Sequence, residues 1–262
     1  MKKVAITIDV ETDWGGRLSA KPENCQGIEK AIPFMLSLFD EFGVKATFFI
    51  SCEILSLYGD VIRKIADNGH EIASHGVKHD ICYDKMSRYE LIEQIGVSKE
   101  LLKDVTGTKP VGFRTPQFRI NEYLYDILRE MNFKYDSSMV KGHLLMRYNN
   151  KNIHEGPFIR NGICEIPIST LPIIKIPNGL LWINALGFEN FKLFFDKFEK
   201  DNTTVFYLHP FDLIEDKSKI NCNFIINNWY HYRAKNVRTT MRELLNYLNK
   251  NYHFLRLAEI AR

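Results

Sequence analysis

The stretch Ile72-Ala73-Ser74-His75-Gly76-Val77-Lys78-His79-Asp80 sets the reading of the chain. Two imidazoles four residues apart meet on one side of a helical turn, and so offer two nitrogen ligands to a single divalent metal. Ahead of them a charged helix ending in glycine leads into Glu71-Ile72-Ala73, an apolar step that reads as a short buried strand. The histidines therefore fall at a strand's carboxyl end, where α/β folds keep their chemistry.

Working outward, Val4 to Asp9 is a nearly continuous apolar strand, as in a parallel sheet buried on both faces. It runs into Asp9-Val10-Glu11-Thr12-Asp13-Trp14. Gly27 to Phe42 has helical spacing with Gly43 as its stop, and Pro33 delays or bends its start. Ala46 to Ile50 is a second strand and Ile54 to Asn68 a second helix closed by Gly69, so the rhythm is β-α-β-α-β. Ser87 to Val105 is a helix opened by a capping box with Glu90 and ended by Gly107. Pro110 to Arg114 is a short strand leading into Thr115 to Arg119, and Asn121 caps a helix through Met131. Further strands are expected at Phe133 to Asp136, Ile163 to Ile168, Thr203 to Leu208 and His253 to Leu257, with helices at Phe188 to Lys200 and Val237 to Asn249. About seven strands alternating with helices favour a barrel-like α/β fold over an open sheet. Two irregular stretches interrupt it: a basic loop over 139–161 with Lys141, Arg147, Lys151 and Arg160, and a second over 211–236 containing Trp229 to Arg233.

With 262 residues, 45% of them hydrophobic, the chain can build one substantial core, and a single domain over residues 1–262 is expected. The 35 basic residues are dispersed among 32 acidic ones, which excludes a phosphate-binding stripe and a nucleic acid partner. Five cysteines without a Cys-x-x-Cys pair read as free thiols of a reducing compartment. No apolar run reaches the ~18 residues of a membrane span. Lys2-Lys3 leads straight into the first strand, too short a run for a signal peptide, so the expected localisation is cytoplasmic.

Polar residues recur at the strands' carboxyl ends: Asp9 and Glu11, His75 and His79, Arg114, Asp136 and His209. In a parallel barrel those ends converge on one mouth. Two histidines with one carboxylate form the ligand set of a catalytic metal, which polarises a carbonyl and activates water. The remaining carboxylate can take the water's proton and a separate histidine can protonate a leaving amine. The set has a part for each step of metal-assisted hydrolysis of an amide or ester.

Five segments, Thr7-Ile8-Asp9-Val10-Glu11, Ser74-His75-Gly76-Val77-Lys78-His79, Phe113-Arg114-Thr115-Pro116, Tyr135-Asp136-Ser137-Ser138 and Leu208-His209-Pro210, stand in the order of five motifs. In this the chain resembles the NodB-type polysaccharide deacetylases, carbohydrate esterase family 4, and within them a cytoplasmic branch. The resemblance implies a distorted (β/α)7 barrel, a divalent metal, usually zinc, and removal of N-acetyl groups from sugars. By it Asp9 corresponds to the general base, and Glu11, His75 and His79 to the metal ligands, with Asp13 a rival to Glu11. Arg114 corresponds to the arginine orienting the base, the Gln117 backbone N–H to an oxyanion donor, His209 to the general acid and Asp136 to the aspartate that tunes it. Two departures are visible: Phe118 stands where a glycine is usual, and the fourth motif lacks its tryptophan.

The expected partner is an N-acetylated carbohydrate, as a glycan or nucleotide-linked or lipid-linked. The alternatives are an amidohydrolase of cyclic amides or ureides on the same scaffold, and a non-catalytic carbohydrate-binding protein. His70 is expected to be structural, His143, His154 and His231 solvated, the Trp229 to Arg233 cluster packing under a loop, and Trp14 either core or site wall.

Overall fold

In the computed structural model the described residues are 2–13, 23, 25–140, 142–144, 148–150, 153, 156–171, 176–198, 202–215, 228 and 232–262. Strands β1 (Lys2–Val10), β2 (Thr47–Ile50), β3 (Glu71–Ser74), β4 (Gly112–Phe113) and β5 (Tyr135–Asp136) alternate with helices α1 (Ile32–Glu41), α2 (Leu55–Asp67), α3 (Arg88–Thr106) and α4 (Leu124–Glu130). A hairpin, β6 (Gly142–Leu144) and β7 (Tyr148–Asn150), comes next, followed by β8 (Phe158–Arg160) and β9 (Ile163–Glu165). Helices α5 (Leu180–Leu186) and α6 (Phe188–Phe198), strand β10 (Thr203–Leu208), helix α7 (Val237–Asn251), strand β11 (Tyr252–Phe254) and helix α8 (Leu257–Ile260) complete the chain.

The main sheet runs β10-β1-β2-β3-β4-β5-β9-β8, with β11 also on β1. Every pairing in it is parallel except that of β8 with β9. The sheet curls until its two sides meet through single bonds instead of a ladder: Ser169 N–H donates to Val205 O at 3.2 Å and Tyr207 N–H to Asn178 O at 3.0 Å. This is the barrel-like α/β fold the alternation predicts, distorted where β9 and β10 meet.

A strand's side chains alternate between faces, and here the alternation sorts the chain into an inside and an outside. Val4, Ile6, Ile8 and Val10 point outward into a core shared with the helices. Ala5 shares a cluster with Phe49, Ala73, Tyr135, Ile166 and Val205 in the barrel interior. A separate outer cluster, including Phe113, Leu124, Leu128 and Phe133, packs α3 and α4 against β4 and β5.

Several elements depart from expectation for identifiable reasons. Pro33 is the second residue of α1, where its missing N–H costs nothing, and a wide π-type turn over Gly27–Ala31 precedes it. The last strand stops at Phe254 instead of Leu257. Leu257 N–H donates to Thr47 Oγ1 and Ala258 N–H to Glu71 Oε2, so the barrel floor supplies acceptors that start α8. Helix α5 falls where no element is expected, and 139–161 is not wholly irregular, since β6, β7 and β8 lie in it. The Ser87–Glu90 capping box is present, and Gly107 ends α3 in the left-handed conformation. Cys52, Cys82 and Cys164 are free thiols. Among the described residues no helix is long and apolar enough to cross a membrane. Trp14, Lys141, Arg147, Lys151, His154, Cys222 and Trp229 to His231, with the side chain of His143, lie outside the described residues. Of the aromatic cluster's end, Arg233 is buried and stacks on Trp182 at 4.1 Å.

His70 is structural, as expected. Its Nδ1 accepts from Ala46 N–H at 3.1 Å, and its ring packs on Phe39 and Phe48. Burial, and then the charges of Lys45 and Arg256, push its pKa down from the ordinary 6.5 to about 4. The folded state therefore resists a proton that the unfolded chain accepts, and stability is lost as pH falls from 6.5 towards 4. Urea denaturation across that window is expected to show this slope flattened in His70→Asn, which keeps an acceptor near Nδ1 but does not titrate. An unchanged slope in the variant would rule His70 out as its source.

Candidate metal and acid–base centre

Asp9 and Glu11 continue the inward series of Ala5 and Thr7, so an Asp-x-Glu spacing turns both carboxylates into the barrel mouth. His75 and Arg114 follow the inward positions of β3 and β4 in the same way, and His209 follows Val205 and Tyr207 of β10. The structure brings these five together.

Arg114 is fully buried. Its Nη1 donates to Asp9 Oδ1 at 2.6 Å and to Thr7 Oγ1 at 3.0 Å, its Nη2 to Ser137 Oγ at 2.8 Å and its Nε to Ser137 O at 2.9 Å. The guanidinium lies 4.0 Å over the Phe49 ring. Asp9 is thereby held by one oxygen, and its Oδ2 lies 4.0 Å from His75 Nε2.

His75 Nδ1 lies 2.9 Å from Arg114 O. A carbonyl only accepts, so Nδ1 carries the proton and the Nε2 lone pair faces the mouth. Opposite it, 3.6 Å away, is Glu11 Oε2. Glu11 Oε2 is buried and has no hydrogen-bond partner among the described residues. His79 Nε2 lies 2.9 Å from the same oxygen. Burial alone would raise the Glu11 pKa, but the charges of His79 and His209 hold it far below the ordinary carboxylate range, so it is anionic.

The ligand atoms of Glu11, His75 and His79 all lie within 4.8 Å of one another. An imidazole lone pair and an orphaned carboxylate oxygen aimed at each other across a buried gap call for a cation between them. This donor set, two nitrogens and one oxygen, fits a divalent ion with open positions. Asp13, the rival carboxylate, is turned away and accepts from Gly27 N–H at 3.0 Å.

The two histidines do not share a helical turn. His75 follows β3 directly, Gly76 reverses the chain at φ +77°, and His79 lies in a turn, with ring centroids 5.9 Å apart. A Cβ on Gly76 would sit 2.1 Å from Tyr83 Oη, the hydroxyl that accepts from Val77 N–H at 3.1 Å.

His209 stands across the mouth, with Nε2 3.9 Å from Glu11 Oε1. Its ring is stacked on Phe211 at 4.5 Å and edge-on to Tyr207. The carboxylate beside it is Asp212, with Oδ2 3.4 Å from Nδ1 and accepting from the His209 N–H at 2.8 Å. Burial works against a charged ring, but Asp212, then Glu11 and Asp9, push the His209 pKa up to about 9.

Asp136 does not take the tuning role expected of it. It alternates with the inward Tyr135 and Ser137, so it points outward, where Ser138 donates to it through Oγ at 2.8 Å and N–H at 3.1 Å. There it is hydrogen-bonded to Glu165; burial raises the pKa of both, and the pair shares a proton. Ser138 Oγ accepts from Thr115 N–H at 2.8 Å, so Asp136 braces the loop after β4. Asp212 is the residue sequence reasoning missed; its signal was a carboxylate three residues after a histidine at a strand end, the spacing that lets it cap the histidine's N–H. In the loop after β4 both Gln117 and Phe118 adopt left-handed backbone at φ +58°. The Gln117 side chain donates through Nε2 to His79 O at 3.0 Å.

Fold and site together define an α/β barrel with a buried carboxylate–histidine centre at its carboxyl mouth. The sequence profile of the polysaccharide deacetylase family matches residues 2–135, and the chain belongs to that family. A peptidoglycan deacetylase of Helicobacter pylori is 30% identical over 141 residues, 52% of this chain and 48% of that protein, so the chain spans about half the length of the curated relatives it matches. Among solved structures, Puue allantoinase superposes with a TM-score of 0.69 at 17% identity, over 99% of this chain and 89% of that one. A peptidoglycan N-acetylglucosamine deacetylase does so with a TM-score of 0.57 at 16% identity, over 98% and 86%. At such identities the structural likeness establishes the fold.

Gly76→Ala is expected to destabilise the protein by roughly 2 kcal/mol or more, since strained backbone and a steric clash add. Gly107→Ala, at φ +74° with open space around it, is expected to cost only about 1 kcal/mol. Equal shifts of the two urea midpoints would show that the Tyr83 contact does not constrain the ligand loop.

Proposed function

We propose that the chain is a divalent-metal-dependent N-deacetylase that hydrolyses the acetamide of an N-acetylated sugar to acetate and a free amine. The observation that carries the reading is the buried triad of Glu11, His75 and His79, flanked by Asp9 on one side and His209 on the other. Family membership supports the acetamide as the bond attacked.

Glu11, His75 and His79 would hold the ion, for which zinc suits the donor set; when bound it supplies Lewis-acid polarisation of the carbonyl and a water of lowered pKa. Asp9 takes the proton of the attacking water. Arg114 holds Asp9 Oδ1, so that Oδ2 is the oxygen presented to the water. The Gln117 backbone N–H is assigned to the carbonyl oxygen as it gathers charge. His209, kept protonated by Asp212, gives its proton to the departing nitrogen as the C–N bond breaks. A binding protein would have no use for a matched base and acid around one ligand triad. A reducing, cytoplasmic setting is part of this reading. A substrate found there would be nucleotide-linked or lipid-linked.

The purified protein is expected to carry about one zinc-like ion per chain by elemental mass spectrometry, lost in His75→Ala and His79→Ala. Asp9→Asn and His209→Ala should keep the ion yet lose ~10² to 10⁴ in acetate release from N-acetyl sugars. Ring opening of cyclic ureides without acetate release from any N-acetyl sugar would replace this reading with the amidohydrolase one. Lack of metal that reconstitution cannot restore would end both.

A further inference from the structure

The two histidines of the triad are supported in different ways. His75 is anchored through its own ring, with Nδ1 on Arg114 O at 2.9 Å, in the manner usual for a metal-binding imidazole. His79 has no such anchor: its Nδ1 is buried and has no hydrogen-bond partner among the described residues. Nor does regular secondary structure hold it, because it lies in a turn beyond the end of β3. Its position has to be set through its peptide.

Two side chains from neighbouring strand ends grip that peptide. Glu53, just after β2, accepts the His79 N–H on Oε1 at 3.3 Å, and Ser51 Oγ–H donates to the same oxygen at 3.2 Å. Gln117, after β4, donates Nε2–H to the His79 carbonyl at 3.0 Å. The backbone between is tied down too: Cys52 N–H donates to Gly76 O at 3.0 Å and Glu53 N–H to Val77 O at 2.9 Å. Residues 76–79 are thus bracketed from the β2 side by Glu53 and from the β4 side by Gln117.

We infer that Glu53 and Gln117 are positioning residues for the metal: by clamping the two sides of the His79 peptide they place its imidazole in reach of the ion held with Glu11 and His75. Neither touches the ion. Gln117 has a second consequence, since its side chain ties the ligand loop to the loop whose backbone N–H is assigned to the oxyanion. A loosened His79 peptide and a displaced 115–118 loop then come from one lost bond. The inference rests on the metal-dependent reading above.

The test is metal affinity of the full chain, read by chelator competition for Zn²⁺ and by the visible absorption of bound Co²⁺. Gln117→Asn is the informative variant. Asparagine tolerates the left-handed backbone at least as well as glutamine but is one methylene short of His79 O. Gln117→Asn and Glu53→Ala are each expected to weaken Zn²⁺ binding about 10- to 100-fold, the usual effect of removing outer support from a ligand, and to alter the Co²⁺ spectrum. Glu53→Gln, which keeps an acceptor oxygen, should restore affinity to within a few-fold of wild type. Urea midpoints of the metal-free forms check folding, and if Glu53→Ala fails to fold, Gln117→Asn decides alone. Wild-type affinity and spectrum in Gln117→Asn would overturn the inference while leaving the metal reading intact. A wild-type protein that binds neither ion would overturn both.

Discussion

A guanidinium buried inside the barrel imposes the strictest condition on this structure. Arg114 cannot be neutralised by losing a proton, so it must be surrounded by acceptors where it stands. Those acceptors come from Asp9 and Thr7 of β1 and from Ser137 just after β5. Thr7 Oγ–H in turn donates to Phe206 O of β10, and Ser137 Oγ–H to Ile166 O beyond β9. One cation thereby fixes how five strands meet at the mouth. Breaking a buried pair by removing one partner costs about 3–5 kcal/mol, because the other charge is left uncompensated. The carboxylate assigned as base is that partner, so site and core are held by the same bond.

Strand parity decides which polar residues reach the site. Asp9, Glu11, His75, Arg114 and His209 occupy inward positions on four strands or just beyond them, and all were legible because their strands could be delimited by apolar runs and glycine stops. Asp136 could be placed at a strand end equally well, yet it faces the helices, since Tyr135 and Ser137 take the inward positions. Its parity was not readable from a strand of two residues whose flanks are all polar or aromatic. The choice between Glu11 and Asp13 was open for a related reason: both are odd-numbered, and only the end of β1 at Val10 and the bond from Gly27 N–H separate them.

What stayed hidden belongs to irregular backbone. The four-residue spacing of His75 and His79 correctly indicated a shared target, but the convergence arises from a left-handed Gly76 and not from a helix. Asp212 reaches His209 through a short turn over Pro210–Leu213, and α8 starts where it does because Thr47 and Glu71 offer acceptors from distant strands. The contacts that start α8 span up to 210 residues, and no local pattern announces them. The basic character of 139–161 likewise concealed short paired strands, which lack the length to show a period of two.

Phe118 stands where the family resemblance leads to the expectation of a glycine. A bulky residue in left-handed backbone costs on the order of 1–2 kcal/mol, a penalty glycine would avoid. In exchange the Phe118 ring packs edge-on to Tyr207 at 5.5 Å, and Tyr207 packs edge-on to His209 at 5.2 Å. With Phe211 stacked on it, the His209 ring is held by two aromatic neighbours while Asp212 lies beside its Nδ1. A ring confined in this way presents Nε2 along one direction, which suits the proton-donor role proposed for it. The left-handed backbone at Phe118 therefore sets its ring against Tyr207, which in turn lies edge-on to His209, and a glycine there would remove that contact.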